Sequence, residues 1–431
     1  MSLYRGTRTP GSAACAALMV ALAHDAAPAH AQSTSEAPPP ASTEPVPKLR
    51  GAEAVPADAA PSDGIFAPTT IEQELELIRP GVRIKRRFDD FAAKTNIRIG
   101  LAHTMLVQQA SGGPGRRSGA SGDLDILAKW TLIGAGTKDT GLIAFASEYR
   151  YQIGDMPPSS LGSEIGTLVP TTNSFGERPF VVKEVYWDHR LFDDRFRYAI
   201  GRIDPEILFG SHRMQSANTF FLNKAFSGNV AVPYPGSGMT AAAQVKPTPW
   251  SFVTTGITDA NGKVTVGNLE GFFEDDEFMY FVEGGLTPNF DGLGQGRYKL
   301  SLWHIDERDD ANKDSDDGFT LAMDQDLGDR ILAFARYGHA DGDATGITDS
   351  AQGGLGIKHV LGKENLFGAA FGWSRPKDSD ERDEKVIEVF QRFQVTESAQ
   401  ITVGVETIFD PSNAPDDDVL GVFSARFRLS F

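Results

Sequence analysis

Charged and amide side chains recur at alternate positions in several segments of this chain, for example at Glu148 and Arg150 and again at Arg426 and Arg428. Guanidinium groups offer several N–H donors in fixed directions and carboxylates accept, so mixed rows of this kind can hydrogen-bond sugar hydroxyls. The same residues can equally pair with one another and keep a protein wall polar, and both interpretations stay open here. The candidates are Glu148, Arg150, Glu184, Asp188, Arg190, Arg197, Glu388, Arg392, Gln394, Glu406, Arg426 and Arg428.

Other chemistry is absent from the sequence pattern. The chain has no G-x-S-x-G, H-E-x-x-H or P-loop motif, and its eight histidines are scattered. The acidic segment Asp310–Gly318 has the composition of a calcium loop, but Ser315 stands where glycine is needed and Leu321 where a bidentate glutamate is needed. We predict no enzyme, no cofactor and no metal centre. The acidic segments are interpreted as solvated loops, with weak divalent-ion bridging to anionic lipid as the alternative.

The segments that carry the charged rows have the period of β-strands. In each of them apolar residues occupy one face and polar residues the other, because successive strand side chains point to opposite sides of a sheet. Such two-faced strands fit a membrane barrel, whose outer surface meets lipid and whose inner surface meets water. The clearest examples are 96–108, 140–154, 385–395 and 400–409.

The C-terminal segment shows the alternation most sharply. Phe423, Phe427 and Phe431 share a face with Ala425 and Leu429, whereas the residues between them are polar. A chain that ends in phenylalanine after such a strand carries the pattern read by the outer-membrane barrel assembly machinery. We therefore assign Phe431 as the assembly signal.

Counting candidate strands predicts a closed barrel. Sixteen candidates occur, and every long connection follows an odd-numbered strand, as expected for short turns on one side of a membrane and long loops on the other. One turn, 287–296, is longer than its position requires. The predicted fold is all-β: a transmembrane antiparallel β-barrel of about 16 strands with a short N-terminal helical segment. The strands are predicted to start near 96, 122, 140, 181, 195, 240, 250, 278, 296, 318, 331, 353, 366, 385, 399 and 419.

Composition and charge define the rest of the chain. The 431 residues carry a net charge of −17, which argues against nucleic acid as a partner. No apolar run of roughly 18 residues, the length of a membrane-spanning helix, follows the N-terminus.

Residues 1–31 have the basic start, apolar run and Ala-x-Ala end of a cleaved signal peptide. Residues 32–68 form a Pro/Ala-rich tether. Residues 69–95 are predicted to be helical, either solvated or docked at a pore mouth, and 96–431 form the barrel.

Several segments resemble the carbohydrate-selective porin family of Gram-negative bacteria (OprB type). They occur in family order, and the C-terminal block is the most specific. The segments are GRIDPEILFG (201–210), NTFFLNKAFSGNVAVPYPGSG (218–238), PTPWSFVTTGITDANG (247–262), FARYGHADGD (334–343), EVFQRFQVTESAQITVGVETIFDPSNAP (388–415) and FSARFRLSF (423–431).

The resemblance implies passive diffusion of glucose and other small sugars across the outer membrane. A general porin, or one selective for organic acids or other anions, is the alternative on the same barrel. Implied partners are outer-membrane lipid, lipopolysaccharide, small sugars and the barrel assembly machinery, whereas monomer and trimer stay undecided. The resemblance also implies that loop 204–239 narrows the pore, with Phe220, Phe221, Asn223, Lys224, Phe226 and Asn229 as candidate constriction residues.

Overall fold

The barrel closes on itself. A computed structural model describes residues 83–265, 276–396 and 398–431. Each of sixteen long strands pairs antiparallel with the next, and the last strand pairs with the first, where Met105 faces Phe427. The strands are β1 Ile97–Ala110, β2 Ser118–Ile133, β3 Gly141–Ile153, β4 Arg178–Leu191, β5 Phe196–Ile203, β6 Gly238–Thr248, β7 Ser251–Asp259, β8 Phe278–Leu286, β9 Gly294–Ile305, β10 Asp316–Leu327, β11 Ile331–Ala340, β12 Ile347–Lys358, β13 Leu366–Pro376, β14 Glu384–Thr396, β15 Ala399–Phe409 and β16 Val419–Ser430.

The predicted strand period sets the two faces of the wall. Along β1, Leu106 is fully buried inside the barrel, whereas the neighbouring Val107 is 50% exposed on the outside. On β16, Phe423 and Phe427 face outward and Arg426 faces inward. Apolar side chains are therefore exposed around the outer wall, which is the arrangement that lipid contact requires. The predicted transmembrane barrel is confirmed.

The connections alternate in length around most of the barrel, but the predicted alternation fails at 341–346, which has six residues where a long loop was expected, and at the turns 134–140, 287–293 and 359–365, which have seven residues each. Fifteen strands start within four residues of the expected positions. The exception is β12, which starts at Ile347 and not near 353 because the pairing of His339 with Asp349 extends it. The longish turn 287–293 is held by a two-residue strand, Asn289–Phe290, that pairs with the start of β9.

One helix precedes the barrel. Helix α1 (Arg83–Thr95) matches the predicted second half of the helical segment and ends where Asn96 adopts a positive φ of 57°. Arg87, Asp89 and Asp90 of this helix are exposed. None of the helices in the described ranges combines the length and apolar composition needed to cross a bilayer. The expected signal peptide, tether and first helical turns (1–82) lie outside the described residues.

Candidate functional site in the barrel lumen

The connection between β5 and β6 folds into the barrel; we call residues 204–237 the inner loop. Its local structure follows from short polar side chains that cap turns. The Asp204 carboxylate accepts the backbone N–H of Glu206 at 3.1 Å, and the Asn223 side chain accepts that of Ala225 at 3.0 Å. Asn223 thereby starts a single helical turn, α2 (Lys224–Ser227).

Phenylalanines fix the inner loop against one side of the wall. The Phe221 ring, 0% exposed, lies 5.3 Å from that of Phe226, 5.7 Å from Phe334 on β11 and 5.0 Å from Phe390 on β14. Phe220 is buried beside them. Burial of these rings stabilises the docked loop. The predicted constriction phenylalanines therefore face the wall and fill the space behind the loop.

Wall carboxylates bind backbone amides of the inner loop. On β8, Glu283 accepts the N–H of Gly210 at 2.7 Å. On β14, Glu388 accepts the N–H groups of Leu222 at 2.7 Å and Asn223 at 3.0 Å. Glu388 is buried beneath the loop, so this predicted pathway residue positions the loop backbone and is shielded from the lumen.

Wall arginines bind backbone carbonyls of the same loop. Arg426 donates to the carbonyl oxygens of Ala217 at 2.5 Å and Phe220 at 3.0 Å. Arg392 donates to Thr219 at 3.2 Å, and its guanidinium lies 5.7 Å from the centre of the Phe220 ring. These two predicted pathway residues are likewise buried under the loop.

Glu406 links the inner loop to a second inward-folding loop, residues 154–177. Its carboxylate accepts the side-chain N–H groups of Asn223 at 2.8 Å and Gln108 at 3.1 Å. Gln108 in turn accepts the hydroxyl of Thr171 at 3.0 Å. The predicted residues Asn223 and Glu406 thus belong to the polar contact between loops and wall.

A cavity lies on the other side of the inner loop. It has a volume of about 780 Å³ and separates the loop from the wall formed by β2, β3 and β4. Among the predicted residues, Glu148, Arg150, Glu184, Lys224, Asn229 and Arg428 line it. Its other charged lining residues are Asp125, Arg178, Lys183, Asp204 and Glu206.

A compact charge network forms the wall of this cavity. Arg150 lies 2.9 Å from Glu148 and 3.2 Å from Asp123, and Arg178 bonds to Glu148 from the neighbouring strand. Carboxylate oxygens of Asp123, Asp125 and Glu148 come within 4.8 Å of one another, a spacing that can hold a cation. Arginines already supply the positive charge at this position, so the arrangement is a salt-bridge network.

Two contacts cross from this wall to the inner loop. Lys183 on β4 forms an ion pair with Asp204 at 2.8 Å, and Asn218 donates to Asp125 on β2 at 3.4 Å. The alternating residues Asp123, Asp125 and Lys129 of β2 carried a sequence signal for an inward polar row that our prediction missed. No local pattern marks the contacts of Lys183 with Asp204 or of Asn218 with Asp125, because the inner loop reaches the wall only when it folds into the barrel.

The remaining predicted pathway residues lie on the inner face but outside the cavity lining. Asp188 and Arg197 form a buried ion pair at 2.8 Å. Arg190 lies 3.9 Å from Asp194, at the end of the barrel with short turns. Gln394 donates to the carbonyl of Thr396 at 2.6 Å at the same end. The wall-polarity interpretation therefore describes these positions.

Burial shifts the pKa of titratable groups in the inner loop, among them Glu206 and His212. It raises the pKa of Glu206, and the nearby Asp204 carboxylate raises that pKa further. Burial and the Arg336 guanidinium hold the pKa of His212 well below its ordinary value. His212 is accordingly neutral, with Nε2 donating to the Phe226 carbonyl at 2.9 Å and Nδ1 accepting the Met214 N–H at 3.2 Å.

The acidic outer loops are only partly solvated. Asp317 is exposed, as predicted, but Asp316 is buried and accepts the backbone N–H groups of Gly342 at 2.5 Å and Ala344 at 3.1 Å. Asp316 therefore joins the loop before β10 to the loop before β12.

Comparison with known proteins decides the family. Residues 152–431 match the model of the carbohydrate-selective porin, OprB family. The chain belongs to the OprB family. The OprB of Pseudomonas putida solved at high pH has 17% sequence identity and a TM-score of 0.66, over 81% of this chain and 96% of that chain. Its low-pH structure has 15% identity and a TM-score of 0.51, over 82% and 98%.

Curated relatives are also porins. Porin AaxA of Chlamydia abortus is 22% identical over 372 residues, which cover 81% of each chain. Porin AaxA of Chlamydia felis is 22% identical over 310 residues, which cover 70% of this chain and 69% of the relative. The resemblance that the sequence motifs indicated is thus confirmed for the OprB family and for its barrel fold. The family and the fold both point to a channel.

Proposed function

We propose that this OprB-family porin conducts small neutral carbohydrates by passive diffusion across the outer membrane. The balanced charge of the cavity lining carries the proposal. Five acidic residues face five basic ones around it: Asp125, Glu148, Glu184, Asp204 and Glu206 against Arg150, Arg178, Lys183, Lys224 and Arg428. A lining in which acidic and basic side chains are equal in number gives neither anions nor cations a large electrostatic advantage.

Hydrogen-bonding capacity supports the same solute class. Between the charged groups, the cavity is lined by the amide side chains of Asn173, Gln215, Asn218 and Asn229. A sugar that sheds water in a narrow passage needs replacement donors and acceptors around its ring. Amides, carboxylates and guanidinium groups supply both. A path for organic acids would favour a lining with excess positive charge, which is why the sugar proposal is preferred over the anion alternative.

Solute competition in planar bilayers tests the proposal. Glucose is expected to reduce the ion current of the purified porin. In Arg150→Gln, the glucose concentration that halves the current is expected to rise about tenfold, the effect of losing one charged hydrogen bond. Arg375→Ala, which changes an exposed arginine outside the cavity lining, is the matched control. A current insensitive to glucose but reduced by a small organic anion would replace the sugar proposal with the anion-selective alternative.

Export and assembly complete the proposal. We infer that residues 1–31 direct export and are removed after Ala31, and that the assembly machinery recognises the C-terminal strand. The backbone of Phe431 supports the second step, because its N–H and carbonyl bond to Leu101 of β1 at 2.7 and 2.8 Å. The same residue would thus serve as the recognition element and as part of the seam that closes the barrel within lipopolysaccharide and lipid.

A further inference from the structure

Arg336 makes an unusual set of contacts in the lumen. It projects inward from β11, is 3% exposed, and its guanidinium donates to four sites on the inner loop. These are the carbonyls of Gly210 at 3.3 Å, Ala225 at 2.8 Å and Gly228, and the side-chain oxygen of Gln215 at 2.8 Å. We propose that Arg336 is the positioning residue that sets the bore of this porin.

The four contacts join parts of the loop that are distant in sequence. Gly210, with φ of 71°, lies at a turn near the start of the loop, whereas Ala225 and Gly228 lie in and just after helix α2. A carbonyl buried without a donor is costly, so each bond favours one arrangement of the turns. One side chain on the wall therefore defines how the two halves of the loop lie against each other.

Arg336 reaches the cavity lining through Gln215. The Gln215 amide, whose oxygen Arg336 holds, donates to Glu206 at 3.4 Å, and Glu206 also accepts the Asn173 side chain at 3.2 Å. Gln215, Glu206 and Asn173 all line the cavity. The chain of contacts thus runs from the wall through the inner loop to the loop 154–177, and displacing its first member displaces the lining.

Arginine suits this position better than lysine. The fifth contact of the guanidinium is the side-chain oxygen of Gln352 on β12, at 3.2 Å, which orients the group from the wall side. A planar guanidinium directs five N–H groups at several carbonyls at once, whereas an ammonium has three donors around one atom. We therefore expect Arg336→Lys to keep the charge and lose part of the positioning.

Single-channel recording compares Arg336→Ala, Arg336→Lys and the lipid-side control Arg375→Ala. For Arg336→Ala we expect conductance to rise about twofold or more, or open-channel noise to increase, together with passage of larger solutes in liposome swelling. Arg336→Lys is expected to lie between wild type and Arg336→Ala. The barrel is expected to keep its heat-modifiable migration, since the inner loop remains bound by Glu388 and Arg426. Wild-type conductance, noise and size limit in Arg336→Ala would overturn the proposal.

An engineered disulfide separates loop position from other effects of losing Arg336. A Cβ built on Gly372 of β13 lies 3.4 Å from the Cβ of Ala225, close to the separation of about 3.5–4.5 Å found in disulfides. The only native cysteine is Cys15, within the expected signal peptide. The substitutions Ala225→Cys and Gly372→Cys are added to Arg336→Ala. Oxidation to the disulfide should restore wild-type conductance, and reduction should return the conductance to that of Arg336→Ala. Unchanged conductance on oxidation, with the cross-link verified by mass, would reject loop positioning as the role of Arg336.

The inference concerns pore geometry and holds for whichever solute passes. It rests on the channel character of the OprB family and not on the sugar proposal. If glucose does not reduce the current of the wild-type porin, the sugar proposal is refuted, whereas the conductance comparison between wild type and Arg336→Ala is unaffected.

Discussion

The docking of the inner loop predicts a large effect for Phe221→Ala. The ring is fully buried and contacts Phe226, Phe334 and Phe390. Truncating a buried phenylalanine costs about 3–5 kcal/mol, because transfer free energy is lost and a cavity is left. Since each 1.4 kcal/mol is a factor of ten, the undocked population of the loop should rise by about two to three and a half orders of magnitude.

Amide hydrogen exchange measures that population directly. Peptides that cover 217–226 should exchange about 100- to 4,000-fold faster in Phe221→Ala, because exchange there requires opening of the docked loop. Peptides from β1 and β16 should keep their protection, since the strand ladder closing the barrel is separate from the loop. Conductance noise should increase in parallel.

The matched control is Phe371→Ala on β13. That phenylalanine is 49% exposed on the outer face of the barrel, where its removal leaves the inner loop untouched. Equal exchange rates in the loop peptides of Phe221→Ala and Phe371→Ala would refute the packing argument. The loop would then be held by its polar contacts with the wall, such as those of Glu388, Arg426 and Arg336.

Two further outcomes are expected. The pKa of His212 is lowered in the docked loop, where it lies near Arg336, Arg297 and Asp324, so the undocked histidine binds more protons and this residue should weaken docking as pH falls below about 6.5. Glu206, whose pKa docking raises, acts in the opposite direction. The ratio of loop exchange in wild type to that in His212→Gln should therefore rise as pH falls. A ratio of wild-type to His212→Gln exchange that is constant from pH 7.5 to 5 would contradict this. Deleting Phe431 should lower outer-membrane levels more than deleting 32–63, and immunoblots showing equal levels for both would count against its role as assembly signal.

The wall of the barrel could be predicted because its determinants are local. In β16, the alternation of Phe423 and Phe427 with Arg426 and Arg428 fixes which face meets lipid, since strand side chains alternate strictly. The inward direction of Glu148, Arg150 and Glu388 followed from the same period. The start of β12 was misplaced because its glycine-rich segment has a weak apolar face.

The functions of the inward residues could not be predicted from that period. Glu148 and Glu388 both stand on inner faces, yet Glu148 lines the cavity and Glu388 lies buried against backbone amides. The difference arises from which side of the lumen the inner loop occupies. Phe221 was assigned to the constriction for its place in the loop, but its ring faces the wall.

The sequence by itself determined the barrel, the number of its strands, the side on which the long loops lie and the polarity of each face, because strand period and connection length are properties of neighbouring residues. Only the tertiary structure decided which inner-face residues lie buried under the inner loop and which line the cavity. The inner loop docks through contacts between residues up to 209 positions apart, such as Arg426 with Ala217. Docking divides one polar inner surface into residues that are buried against the loop and residues that line the cavity, and no local pattern encodes that division.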